Sequence, residues 1–202
     1  MPIPTLETDR LTLRPFAPID LDRLADILAD PDVMRYMPGG QPMSRERAER
    51  NLDFILKHWE QHGYGWWAVV LNPSTGSGHR PSTGSGHRPS TGSGRCADGV
   101  LIGWCGLAYV DELSETEVAY LLDKPYWGQG FATEAAGASL RYAFEELALD
   151  RVIALADVEN IGSQRVMQKN GMVHEKDLHL WGLDLAYYAI TRQAFEQGEQ
   201  DH

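Results

Sequence analysis

The chain is short of positive charge. Its 202 residues carry 18 Lys and Arg against 29 Asp and Glu, a formal net charge of -11, so there is no general basic surface with which to neutralise a nucleic-acid backbone. Cysteine is scarce too, and the pair Cys96 and Cys105 cannot staple a small secreted scaffold. No run approaches the roughly 18 to 20 apolar residues of a membrane span, and the chain opens without a basic segment leading into an apolar one. These absences predict a protein of the reducing cytoplasm with no membrane and no nucleic-acid partner. Gly-Lys-Ser and Gly-Lys-Thr are missing as well, which excludes a Walker phosphate loop.

What is present fits one domain. A hydrophobic content of 43% over this length supports a single good core and leaves little room for a second. The expected domain spans 1–202, interrupted at 73–95 by an octapeptide, Pro73-Ser74-Thr75-Gly76-Ser77-Gly78-His79-Arg80, which recurs from Pro81 to Arg88 and, lacking its His, from Pro89 to Arg95. The unit has no apolar side chain with which to build a solenoid, so it reads as a disordered, expanded loop. Omitting it joins Val70-Leu71 to Asp98-Gly99-Val100 as an ordinary hairpin. A long loop costs only about 0.6 kcal/mol per doubling of length, so the fold can carry it.

Around this insertion, strand and helix patterns mix. Leu6 to Phe16 alternates as one strand, and Pro18 to Ala29 has a helical apolar face. Ser44 opens a helix that Gly63 stops after His62. Gly65 to Leu71 and Val100 to Val110 should pair as antiparallel strands, followed by a strand from Glu117 to Asp123. Ala132 to Leu149 reads as a long helix, Arg151 to Val158 as a strand, and Ile161 to Lys169 as a short helix ended by Asn170-Gly171. Met172 to Asp177 with Leu180 to Thr191 closes the order as a hairpin. The class is α/β.

The most informative stretch is Trp127-Gly128-Gln129-Gly130-Phe131-Ala132-Thr133-Glu134-Ala135, at a junction between strand and helix. Gly128 and Gly130 let the main chain approach a ligand closely. The first helical N–H groups lack intrahelical partners and lie at the positive end of the helix dipole, an arrangement suited to phosphate. In an acidic chain this attraction must be local, supplied by helix N-termini and by Arg165 or Lys169.

The loop resembles the acetyl-coenzyme A loop of the GNAT acetyltransferase superfamily, with Gly130 and Ala132 fitting and Trp127 standing where Gln or Arg leads. That variation is similar to the branch of ribosomal-protein N-terminal acetyltransferases of the RimJ/RimL type. Thr8-Asp9-Arg10-Leu11-Thr12-Leu13-Arg14-Pro15 resembles the opening strand of that branch, and Asp157 to Met172 resembles its closing Asn-x-x-Ser…Lys-x-Gly-Phe signature. Outside the insertion, the resemblance covers nearly the whole chain. It implies the GNAT acyl-CoA N-acyltransferase fold, a central, mostly antiparallel mixed sheet flanked by helices. It also implies acetyl-CoA as co-substrate and direct transfer to a primary amine, either a protein N-terminus or a small molecule, by a monomer or homodimer.

The resemblance and the chemistry of acetyl transfer nominate particular residues. An attacking amine must lose a proton, and Glu117, on the strand entering the loop, is the first candidate for general base. Glu115, Asp111 and Glu112 are its rivals. Main-chain groups of Leu121, Leu122 and Asp123 are expected to contact the pantetheine arm, with oxyanion donors near Leu122. Gln129, Gly130, Phe131, Ala132 and Thr133 should cradle the pyrophosphate. Asn160 has the type and place of a helix N-cap and would also bind the arm, while Ser163 would bind it and assist departure of the thiolate. Tyr187 and Tyr188 compete with Ser163 for that task.

Other features invite plainer readings. His58 and His62 have ligand spacing but no evident third partner, so no metal is expected and an exposed amphipathic helix face explains them. Cys105 lies in an apolar strand and should be inert. Trp66, Trp67 and Trp104 pack the sheet, although aromatics near its cleft could also shape an acceptor pocket. Two further functions remain open, an acyl-CoA-binding sensor or adaptor without turnover and an interaction protein acting through the repeat loop.

Overall fold

A computed structural model describes residues 3–73, 95–96 and 99–200. The expected insertion at 73–95 therefore lies mostly outside the described residues. Nine strands form one sheet: β1 (Leu6–Glu7), β2 (Leu11–Arg14), β3 (Trp66–Leu71), β4 (Arg95–Cys96), β5 (Gly99–Val110), β6 (Glu115–Leu122), β7 (Arg151–Asp157), β8 (Val173–Leu180) and β9 (Leu183–Thr191). Their order is β1-β2-β3-β5-β6-β7-β9-β8, with β4 paired to β5 off this path. The helices are α1 (Leu21–Leu28), α2 (Pro31–Met34), α3 (Arg45–His62), α4 (Phe131–Arg141), α5 (Ile161–Lys169) and α6 (Arg192–Gln200). The core takes Leu11 and Leu13 from β2, Trp67 from β3 and Leu107 from β5, with Leu24 and Ile27 of α1 and Leu140 of α4, all with 0% exposure. Leu71 stands opposite Val100 at the two ends of the insertion, as a hairpin would place them.

The expected strand from Leu6 to Phe16 is instead a hairpin, with Leu6 opposite Leu13. Local polar bonds override the alternation. The Thr8 N–H donates to Leu11 O at 2.9 Å, and the Leu11 N–H returns a bond to Thr8 Oγ1 at 2.9 Å, closing the turn. α3 matches its sequence signals, since the Ser44 hydroxyl caps the Arg47 N–H and Gly63 stops the helix at φ 74°. The helix expected to reach Leu149 leaves α-geometry after Arg141 and widens into a π-turn over Tyr142–Glu146. α2 and α6 carry too few periodic residues to announce themselves. Asp30 caps the first from its side chain, and Phe195 anchors the second against Phe144 at 5.1 Å.

One connection positions the site. β6 and β7 pair in parallel through the α4 crossover, whereas all other pairings among the described residues are antiparallel. Parallel strands present their C-terminal ends on the same side. β6 therefore delivers the glycine loop and α4, and β7 delivers Asn160 and α5, to one cleft.

Candidate active site

β6 is zipped to β5 residue by residue, from Gly103 opposite Leu122 to Val110 opposite Glu115. Toward β7 it registers only once, Glu117 opposite Ile153, and the two strands then part. The Glu117 side chain sits at the fork. Its Oε1 accepts the Leu155 N–H at 3.2 Å, a donor that would otherwise continue the ladder. Glu117 as a whole is half-buried, and burial around its carboxyl raises the pKa to about 7, opposed by the bond from Leu155. Among its rivals, Glu115 is engaged by Arg151 and Tyr187, and Glu112 accepts the Trp181 indole N–H at 2.8 Å. Asp111 is exposed in the turn between β5 and β6.

The open side of β6 follows from hydrogen-bond alternation. The Asp123 N–H donates to Ile102 O at 2.8 Å, so the register commits the main chain of Leu121 and Asp123 to β5 and turns that of Tyr120 and Leu122 toward the gap. This corrects the expectation that Leu121, Leu122 and Asp123 all offer main-chain contacts. Leu121 lines the cleft without a free main-chain edge, while Asp123 is buried outside it, paired with Arg23. Trp127, which stands where the family pattern has Gln or Arg, donates its indole N–H to Leu122 O at 2.7 Å. The Leu122 N–H is the donor left facing the gap.

Between the separated strands lies a cleft of about 480 Å³. Gly128, Gly130, Phe131, Ala132 and Thr133 line its loop side. Gly130 adopts φ 84° as the N-cap of α4 and contributes no side-chain cap, so the first N–H groups of this helix have no capping partner. Gln129, expected to join the cradle, does not line the cleft: its amide donates to Pro125 O at 2.8 Å, and its carbonyl accepts from Arg10 at 3.0 Å. Across the cleft, Arg165 and Lys169 on α5 are exposed lining residues that form no ion pair among the described residues. The site thus offers a pyrophosphate-sized anion an uncapped helix N-terminus and two available cations.

Asn160 caps α5 by accepting the Ser163 N–H at 3.1 Å, and both residues line the cleft. The Tyr120 hydroxyl lies 2.9 Å from both Ser163 Oγ and Ser163 O. Burial raises the pKa of this phenol, which therefore stays protonated. Tyr187 and Tyr188 are elsewhere, the first with Glu115 and Arg151, the second with Gln164 and Gln168. Sequence reasoning missed Tyr120, because its hydroxyl meets a partner 43 residues away, a relation no local pattern announces.

Away from the cleft, the plainer readings meet their structures. His58 is buried rather than on an exposed face, with Nδ1 2.9 Å from Tyr64 O and its ring stacked on His62 at 4.3 Å. Among the described residues no group of three potential ligands could hold a metal ion. Cys105 is fully buried 3.4 Å from Ser139 Oγ, and burial raises its thiol to about 12, far from a reactive thiolate. Trp66 and Trp104 meet edge to face at 6.1 Å and do not line the cleft. Among the described residues no helix is long and apolar enough to cross a membrane.

Comparison with known proteins agrees with this geometry. The family described as "Acetyltransferase (GNAT) domain" matches residues 10–173. YdaF of Bacillus subtilis, provisionally named a ribosomal N-acetyltransferase, is 30% identical over 162 residues, 74% of this chain and 88% of the relative. The FsC-acetyl coenzyme A-N(2)-transacetylase of Aspergillus fumigatus is 28% identical over 180 residues, 85% of this chain and 66% of the relative. A crystal structure of a GNAT-family acetyltransferase from Bacillus anthracis superposes with a TM-score of 0.71 at 25% identity, covering 94% of this chain and 99% of its own.

Proposed function

The chain belongs to the GNAT acetyltransferase family, and on that premise we propose that it transfers the acetyl group of acetyl-CoA to an α-amine by direct attack, with Glu117 accepting the proton. Acetyl-CoA is the co-substrate of the family. The single observation that carries the reading is the Glu117 carboxyl at the fork between β6 and β7, bonded to the Leu155 N–H and raised by burial to about 7. In this reading the pantetheine arm lies in the fork as an added strand against Tyr120 and Leu122, and the pyrophosphate rests on the start of α4 between Gly130 and Thr133.

The proton balance favours an α-amine. An α-ammonium has a pKa near 8 and a lysyl ammonium near 10.4, so transfer to a carboxylate near 7 is uphill by about one unit for the first and about three for the second. Once neutral, the amine adds to the thioester carbonyl. The Leu122 N–H is aimed where oxyanion charge develops, and the carbon–sulfur bond then breaks with Ser163 beside the departing thiolate. The names of the relatives point to two kinds of acceptor, a ribosomal one for YdaF and an N(2) position for the fungal transacetylase. Both are compatible with such a base.

A thiol-release assay with acetyl-CoA tests this reading. Peptides with a free N-terminus, the same peptides blocked at that end but carrying lysine, and small α-amines are compared as acceptors. Turnover of free α-amines, with blocked peptides at least tenfold slower in kcat/KM, is the expected result. Preference for the lysyl amine would overturn the α-amine assignment, and CoA binding without turnover on any acceptor would favour the sensor reading.

A further inference from the structure

Four donors of the N-terminal hairpin meet at one carboxylate beside the cofactor loop, although about 124 residues separate hairpin and carboxylate in sequence. Glu134, in the first turn of α4, accepts the Thr8 hydroxyl at 2.6 Å and the Arg10 main-chain N–H at 2.9 Å on Oε1. Its Oε2 accepts Arg10 Nε at 2.7 Å and Arg10 Nη2 at 2.6 Å. The same guanidinium donates from Nη1 to Gln129 O at 3.0 Å and lies 4.5 Å over the Phe131 ring. One arginine therefore holds the residue before Gly130, the residue after it, and the first turn of the helix.

This clamp answers a physical need of the loop. Gly128 and Gly130 both sit at positive φ, and a Cβ at Gly128 would meet nothing within 4 Å, so packing around that glycine does not fix its conformation. Glycine is also free to leave such a conformation. Glu134 raises a second problem, because its carboxylate lies within one turn of the N–H groups that would bind phosphate and competes for their positive end. Pairing with Arg10 neutralises that charge in place.

We propose that Arg10, supported by Thr8, is a positioning residue that locks the cofactor loop in its pyrophosphate-binding shape through Glu134. The proposal rests on the assignment of the cleft to acetyl-CoA. It places the opening Thr-x-Arg of the chain in the service of a loop on the far side of the sequence, with no contact to the reacting atoms.

The test compares acetyl-CoA with acetyl-pantetheine, which has the thioester and arm but lacks the pyrophosphate. Arg10→Gln is expected to raise KM for acetyl-CoA about tenfold, the scale of a lost charge-assisted bond, with kcat within about twofold. kcat/KM for acetyl-pantetheine should stay within about twofold of the parent. Arg10→Lys keeps the charge but not the fork and should recover only part of the loss. Should Arg10→Gln fail to fold, Thr8→Val should show the same selectivity between donors at smaller amplitude. Equal losses with both donors would mark a merely structural role and overturn the proposal, as would an unchanged KM for acetyl-CoA. A parent chain that turns over neither donor would instead overturn the acetyl-transfer reading, and the latch with it.

Discussion

The two edges of β6 have opposite fates. Against β5 the strand is paired continuously from Glu115 to Leu122, while against β7 it meets its neighbour at Glu117 and Ile153 and then separates. Both edges belong to the same eight residues, so strand propensity cannot explain the difference. What differs is the occupant of the next donor site. Antiparallel β5 meets β6 with a small residue, Gly103, that allows close approach to the main chain of Leu121 and Leu122. On the other edge a carboxylate takes the Leu155 N–H. A sheet can be opened at a chosen rung by giving one of its donors to a side chain, and the open rung then becomes a binding edge.

The largest expected effect breaks the open edge. Glu117→Gln keeps the size of the side chain and an acceptor for Leu155 but removes the base, and should lower kcat by about 100-fold or more. In the parent, kcat/KM should rise with pH through a limb near 7, the value to which burial raises Glu117, and that limb should vanish in the variant. The same substitution should stabilise the fold in alkaline solution. Folded Glu117 binds its proton more tightly than the unfolded chain, whose value is 4.5. Its contribution therefore favours the fold below about pH 4.5 and is lost as pH rises through about 7, on the order of 3 kcal/mol at pH 8. Denaturant titrations should find Glu117→Gln more stable than the parent at pH 8 and little changed at pH 5. A variant no more stable at pH 8 would mean that the carboxylate is better solvated than the fork implies.

A smaller effect is expected on the closed edge. Gly106 stands opposite Ala119 in that ladder, and a Cβ there would collide with the main chain of Gly65 and Trp66 on the other side of β5, so Gly106→Ala should displace β5 and cost about 2 to 3 kcal/mol of unfolding free energy. The protein that remains folded should bind CoA as the parent does. Loss of CoA affinity in step with stability would show that the two edges are coupled rather than independent.

The smallest effect sharpens the chemistry of the cleft. Tyr120→Phe removes the hydroxyl shared by Ser163 Oγ and O, a loss worth about 1 kcal/mol. kcat should fall roughly fivefold to tenfold with KM for acetyl-CoA little changed. An unaffected kcat would show that Ser163 is held by its main chain and Asn160 alone.

The parts of the fold legible in the sequence are those decided within one or two turns of chain. Ser44 and Gly63 bound α3 because capping groups bond to residues three or four positions away. Asn160 and Gly171 bracket the α5 segment in the same way, with Gly171 at φ 76°. The glycine loop announced itself because positive φ is a local demand on residue type. Less legible was which strand groups remain available. Leu121, Leu122 and Asp123 are alike in sequence terms, yet the phase of the β5 ladder commits the main chain of the first and third and spares that of the second. Tyr120 was overlooked for the same reason. Its partner Ser163 lies 43 residues away, at a separation that carries no periodic signal.

The sequence by itself determined most of the element order, the glycine loop and its helix, the family, and the acidic residue on the strand that enters the loop, because each depends on residue type and short-range spacing. The tertiary structure alone decided that Glu117 stands at the fork, that Tyr120 reaches Ser163, and that Arg10 closes on Glu134. Those are relations between elements. A hydrogen bond between distant segments depends on register and crossing geometry, which the packed core fixes and no local stretch of sequence contains.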